Sequence, residues 1–225
     1  MIVVIGAPLF VPGEPGRPSA AAGRAVAVAR AAIQAGAGVE LIGKVGRDPA
    51  GDAVLIALAA DGIGHAAVLR DPARPTPALA FEPVTDDAPL AAALDGDEPG
   101  DDDRAAPERR QATLALDAGD LDLALRYLAD YRVLVVAEPL EDDALAVVVE
   151  ACAFGGALLV VAVEPNHELP DLPAEATVFE APDADPDGLF GRTVGRFAAD
   201  LDRGLDGAQA LVRATSEAGW QSTPA

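Results

Sequence analysis

The apolar positions along the chain fall into short runs separated by helical periods. Ile2-Val3-Val4-Ile5, closed by Gly6, reads as a parallel strand buried on both faces. A loop over Gly13 to Pro18 follows, then an Ala-rich helix from Ser19 to Ala35 that Gly36 and Gly38 stop. Val39 to Gly43 is a second strand, so the first forty residues form one βαβ unit. Asp48-Pro49 opens the next helix with an N-cap acid and a proline in its first turn, and Ala53 to Ala60 carries it on to Gly62. Strands are predicted at Ala66 to Leu69, Ala78 to Val84, Ala112 to Leu116, Val133 to Ala137, Ala157 to Val163 and Thr177 to Phe179. Helices are predicted at Asp120 to Asp130, Glu141 to Phe154, Arg192 to Leu201 and Asp206 to Glu217. Strands alternating with helices predict an α/β three-layer sandwich with a mostly parallel sheet. The period disappears between Asp86 and Arg110, where acids, prolines and alanines surround Asp101-Asp102-Asp103. That stretch reads as a flexible, solvated acidic loop within one domain spanning residues 1–225.

Composition narrows the function classes. With 225 residues and a hydrophobic fraction of 51%, the chain can bury a full core. Sixteen Lys and Arg against 37 Asp and Glu give a net charge of -21, a field that repels polyphosphate and anionic lipid. Aromatics at 4% leave few platforms for base stacking, so neither nucleic acid nor a membrane is an expected partner. The single cysteine, Cys152, excludes a disulfide framework and reads as a small buried hydrophobe. The amino terminus is apolar without a basic leader, and the longest later apolar stretch is too short to span a bilayer. A cytoplasmic protein is expected.

Ala22-Gly23-Arg24-Ala25-Val26-Ala27-Val28-Ala29 and Val39-Glu40-Leu41-Ile42-Gly43-Lys44-Val45-Gly46-Arg47-Asp48-Pro49-Ala50-Gly51-Asp52 carry more specific information. Together they resemble the ribokinase-like sugar kinases of the PfkB family. The strand, Gly-x-x-Gly-x-Asp-x-x-Gly and helix, ending in Asp61-Gly62-Ile63, are similar to that family's N-terminal signature. Arg74-Pro75-Thr76, Ala137-Glu138-Pro139-Leu140, Val163-Glu164-Pro165 and the ending Gly219 to Pro224 resemble later landmarks. The resemblance implies a kinase fold that moves phosphate from ATP, with Mg, to a sugar or nucleoside hydroxyl. Such a reaction needs a carboxylate to accept the hydroxyl proton, amides to hold phosphate charge and polar groups to orient the sugar.

Those requirements are poorly met in the sequence. The family's base is the aspartate of a Gly-Ala-Gly-Asp motif, and one alignment sets Gly188-Leu189-Phe190-Gly191 over it, leaving glycine where the aspartate belongs. A rival alignment sets Pro182-Asp183-Ala184-Asp185 over the family's Asn-x-x-Glu region, and then the motif is absent. Both leave the chain short of the segment that, in the family, surrounds adenine and the phosphates. The family's first-strand aspartate becomes Val11 or a neighbour, and its Gly-Gly-x-x-x-Asn ends in Ala27. The expectation is therefore a degenerate kinase homologue with a reduced or absent nucleotide-binding part, requiring no cofactor and acting by ligand binding or subunit assembly. The alternative is an active kinase using ATP and Mg through displaced acids.

Candidate residues follow from these two readings. Asp185 and Asp187 are the weak substitutes for the base, although Asp187 also suits an N-cap. Gly23, Gly43, Gly46 and Asp48 are candidates for binding a sugar-like substrate; turn formation and capping also account for the last three. Gly188, Gly191 and Arg192 could hold an anion at a helix start. No metal site is expected: Glu164, His167 and Glu168 have ligand chemistry but fall in a proline-bounded loop. A sheet edge near Ala78 to Val84 and Gln111 to Leu116 could be covered by a second copy in a homodimer.

Overall fold

The computed structural model describes residues 1–79, 114–128, 130–165, 171–182, 185 and 188–217. The chain runs β1 (Ile2–Ile5), β2 (Leu9–Val11), β3 (Ala20–Ala22), α1 (Arg24–Gln34), β4 (Val39–Gly46), α2 (Pro49–Ala60) and β5 (Val68–Asp71). It continues through α3 (Ala118–Tyr127), β6 (Val133–Val136), α4 (Asp142–Gly155), β7 (Leu158–Val163), β8 (Thr177–Glu180), α5 (Leu189–Asp202) and α6 (Gly207–Glu217).

Six strands form one parallel sheet in the order β5-β4-β1-β6-β7-β8. The apolar runs explain why: every residue of β1 and β6 is buried, which only a strand covered on both faces allows. Alternate residues feed two cores. Ile2 and Val4 point to the layer of α1, α2, α5 and α6, whereas Val3 and Ile5 point to the layer of α3 and α4. β1 lies between β4 and β6, so successive crossovers leave it in opposite directions and the loops at its carboxyl end diverge. That divergence is where an open α/β sheet forms a crevice.

Helix α5 is drawn unusually close to α1. A Cβ built on Gly195 would stand 2.3 Å from the Val28 carbonyl oxygen and 2.7 Å from the Ala31 Cβ; one on Gly191 would stand 2.7 Å from the Ala27 Cβ. Phe197, on the same helix, meets the Phe179 ring of β8 edge-on at 5.0 Å. Cys152 is buried in α4, and burial pushes its thiol up to about 11, in keeping with a packing role. Among the described residues no helix is long and apolar enough to cross a membrane.

The structure corrects several sequence expectations. The helix predicted from Ser19 begins at Arg24, because Gly23 (φ 102°, ψ 162°) is outside helical space; Ala20–Ala22 instead pair antiparallel with Leu9–Val11. Glu14 and Arg17 bridge within the loop joining these strands. The second strand runs on to Gly46, and the third is Val68–Asp71 rather than Ala66 to Leu69. Leu114 to Leu116 form no strand, although Leu114 and Leu116 are buried. Ala78 bridges to Phe10, and the Leu79 N–H donates to the Phe10 carbonyl at 2.9 Å; residues 80–84, 112–113 and the acidic run Asp86 to Arg110 lie outside the described residues.

Candidate ligand-binding site

The carboxyl ends of β1, β4, β6 and β7 open into one cleft of about 490 Å³. It is lined by Gly6 and Ala7 after β1, Gly23 and Arg24 at the start of α1, Lys44 of β4, Glu138 to Glu141 after β6, Glu164 after β7 and the segment Leu114 to Leu116. This is the switch-point position expected of a doubly wound sheet.

Each charged group in the cleft has a structural reason for its position. Gly23 must be glycine here: its φ is 102° and a Cβ would lie 2.8 Å from the Ala7 carbonyl oxygen. That turn delivers Arg24, whose Nη1 donates to Glu164 Oε1 at 2.8 Å and to the Ala137 carbonyl at 3.4 Å. The same guanidinium lies 5.6 Å from the centre of the Phe190 ring. Lys44, the only lysine in the chain, is buried; its ammonium pairs with Asp120 and donates to the Ala115 carbonyl at 3.4 Å. It thereby fixes the segment Leu114 to Leu116 to β4. Asp120 also completes a reciprocal capping box with Asp117 at the start of α3, which holds it in place for this pairing.

Glu138 follows β6 and accepts the Ala7 N–H at 3.1 Å. Burial raises its carboxyl above the ordinary glutamate value of 4.5, and Glu164 adds to the effect; the Ala7 hydrogen bond and the Arg24 charge oppose it. With a folded pKa above the unfolded one, the native state holds this proton more tightly. Its contribution to stability therefore falls as pH rises from 4.5 through the folded value. Glu138→Gln is expected to melt higher than the parent at pH 8, with the gap closing toward pH 4. Thermal unfolding across pH reads this directly, and a lower melting temperature at pH 8 would contradict it.

The sequence candidates separate into two groups. Gly23 lines the cleft; Gly43, Gly46 and Asp48 do not. A Cβ on Gly43 would meet Gly6 O and Pro8 Cδ at 2.8 Å, and one on Gly46 would meet Arg74 O and Thr76 N at 2.6 Å. Asp48 caps α2 through Gly51 N at 2.8 Å and also accepts the Thr76 hydroxyl at 2.6 Å and the Thr76 N–H at 2.9 Å. Burial raises its pKa, but the Thr76 and Gly51 hydrogen bonds and Arg70 outweigh this and leave it below the ordinary value of 3.8. Asp48→Ala is expected to cost about 2 kcal/mol at pH 7, for a lost cap and an unpartnered Thr76. A depressed carboxyl stabilises above its unfolded pKa, so the cost should shrink as pH falls below 3.8; urea unfolding at two pH values tests both points.

Asp185, Gly188, Gly191 and Arg192 are not among the described residues that line the cleft. Asp185 accepts Leu189 N at 2.7 Å and Phe190 N at 3.1 Å, so its carboxylate already engages the first amides of α5. Asp187, His167 and Glu168 lie outside the described residues. Gly191 is the third residue of α5 and is buried against α1, and Arg192 follows on its exposed side. Glu164 is engaged by Arg24. Glu138 and Lys44 were not singled out from sequence; the signal was an ionisable residue at the carboxyl end of a buried strand, or inside one.

The fold is a doubly wound α/β sheet with a cleft at its switch point. The pfkB family carbohydrate kinase model matches residues 17–194, so the chain belongs to that family. No curated protein matches the sequence significantly. Among crystal structures, a protein described as a ribokinase II from E. coli, in complex with ATP and Mg²⁺, is similar at TM-score 0.59 and 16% identity, over 100% of this chain and 93% of that one. A PfkB protein from Polaromonas sp. JS666 gives 0.58 and 14%, covering 96% and 94%. Arabidopsis thaliana ribokinase complexed with ribose and ATP gives 0.54 and 14%, covering 96% and 90%. At these identities the likeness concerns the fold.

Proposed function

We propose that this chain is a pfkB-family protein that binds a small sugar-like ligand in the switch-point cleft and does not transfer phosphate. The observation that carries the reading is Gly191. On the alignment that sets Gly188 to Gly191 over the family's motif, the position of the proton acceptor lies inside α5, has no side chain, and faces the Ala27 Cβ at a distance that leaves no room for one; on the rival alignment the motif is absent. Loss of a general base alone costs a kinase about 10²–10⁴-fold in rate.

Two further features support the same reading. β8 passes to α5 through residues 181–188 alone, and no strand follows β8 among the described residues, which leaves little chain to surround a purine. The residues present do not fit ATP with Mg²⁺: the α5 amides that would meet phosphate already donate to the Asp185 carboxylate, which would also repel it. The cleft, by contrast, keeps its volume and a ring of polar groups suited to hydroxyls.

Isothermal titration with a panel of pentoses, hexoses and nucleosides, beside a phosphoryl-transfer assay on the same panel, tests this. Binding without transfer is the expected outcome; transfer that Asp185→Asn or Asp187→Asn abolishes would restore the kinase reading with a displaced base. If assembly is the function instead, light scattering will show a concentration-dependent dimer and the titrations will be silent.

A further inference from the structure

The charges around the cleft restrict the ligand beyond its being sugar-like. Among the described lining residues only Arg24 and Lys44 are cationic, and each is already matched within the protein, Arg24 by Glu164 and Lys44 by Asp120. Glu138 and Glu141 also line the cleft, and neither forms an ion pair within 4 Å among the described residues. An anionic ligand reaching Arg24 or Lys44 would meet the carboxylate of Glu164 or Asp120 already beside that cation, which offsets its attraction. The start of α1 also lines the cleft, uncapped by any side chain, and its dipole favours negative charge. Glu138 already meets that field, since its carboxyl is 3.3 Å from where a Gly6 Cβ would stand, beside Ala25. The whole chain, at -21, adds a further repulsion of anions.

Resting on the binding function proposed above, we infer that the cleft sorts polyols by charge: it admits neutral ones, prefers those bearing a protonated amine, and excludes phosphorylated and carboxylated ones. Hydroxyls donate to the carboxylates, and an ammonium group supplies the direct ion-pair partner that Glu138 and Glu141 do not have among the described residues. Burial of the Glu138 carboxyl strengthens any such pairing, because a charge facing it is screened less than one in water.

Matched sets on one skeleton test this by isothermal titration of the full chain at pH 7.5 and fixed ionic strength: glucose, glucosamine, glucose 6-phosphate and gluconate, repeated with ribose and ribose 5-phosphate. Within a set, the amine should bind tightest and the anionic members at least ~10-fold more weakly than the neutral one. Glu138→Gln with Glu141→Gln should remove the preference for glucosamine over glucose, weakening glucosamine more than glucose so that the two bind alike. An anionic member binding as tightly as its neutral parent, or an amine binding more weakly, overturns the inference and leaves the binding function standing. No binding by any member overturns the binding function itself, and this inference with it.

Discussion

Gly195→Leu is expected to lower stability by about 3 kcal/mol or more, the upper end for overpacking a core. The neighbours that a side chain would strike are the Val28 carbonyl oxygen at 2.3 Å and the Ala32 nitrogen at 3.1 Å, both backbone atoms of α1 that cannot rotate aside. Relief requires α5 to move away from α1, which would also disturb Phe197 and its contact with Phe179. For a chain of this size the change corresponds to a fall in melting temperature of roughly 6–12 °C. Gly38→Ala is the control: nothing lies within 4 Å of its Cβ position, so a shift within about 0.5 kcal/mol is expected. Equal melting temperatures for the two variants would mean that α1 and α5 are not packed as described.

Gly191→Asp puts a carboxyl back at the aligned position, and neither transfer activity nor stability is expected to benefit. The new Cβ would meet the Ala27 Cβ at 2.7 Å, and the charge would be placed at a buried site between two helices. Overpacking and a buried charge together should cost about 3–5 kcal/mol, a large part of the stability of an ordinary domain. Gly191→Ala separates the two effects: it introduces the contact without the charge and should lose less. Differential scanning calorimetry of both variants, with a transfer assay on Gly191→Asp, checks the ranking. Recovery of transfer in Gly191→Asp would place this residue at the reacting hydroxyl and contradict the burial described.

The parallel strands were legible from sequence because β1, β6 and β7 are apolar runs rich in β-branched residues, and burial on both faces permits little else. The β2–β3 pair was not. Ala20-Ala21-Ala22 favours helix by propensity, and only pairing with Leu9–Val11 and the positive φ of Gly23 decide otherwise. The site was harder still. Gly43, Gly46 and Asp48 form a motif dense in sequence, yet they pack against Pro8, Arg74 and Thr76, whereas the cleft is assembled from groups far apart in the chain. Arg24 meets Glu164 across 140 positions and Glu138 meets Ala7 across 131. Periodicity cannot report such pairings, since they depend on which strand lies beside which.

On one of the two alignments the family's aspartate becomes a single letter, Gly191, and the sequence alone does not say how that position is packed. The packed structure adds that Gly191 lies where α5 rests against α1, with Asp185 on the first amides of the helix. A side chain added there would have to move one helix away from the other.

Transfer of labelled γ-phosphate from ATP with Mg²⁺, measured on the full chain across pentoses, hexoses and nucleosides, is the most direct test of whether this member of the family has kept its cleft without its chemistry. Label retained on ATP at the buffer-control rate, for every sugar that titrates into the cleft, is the result expected here. Labelled sugar formed with saturable kinetics, and lost when Asp185 or Asp187 becomes asparagine, would contradict it.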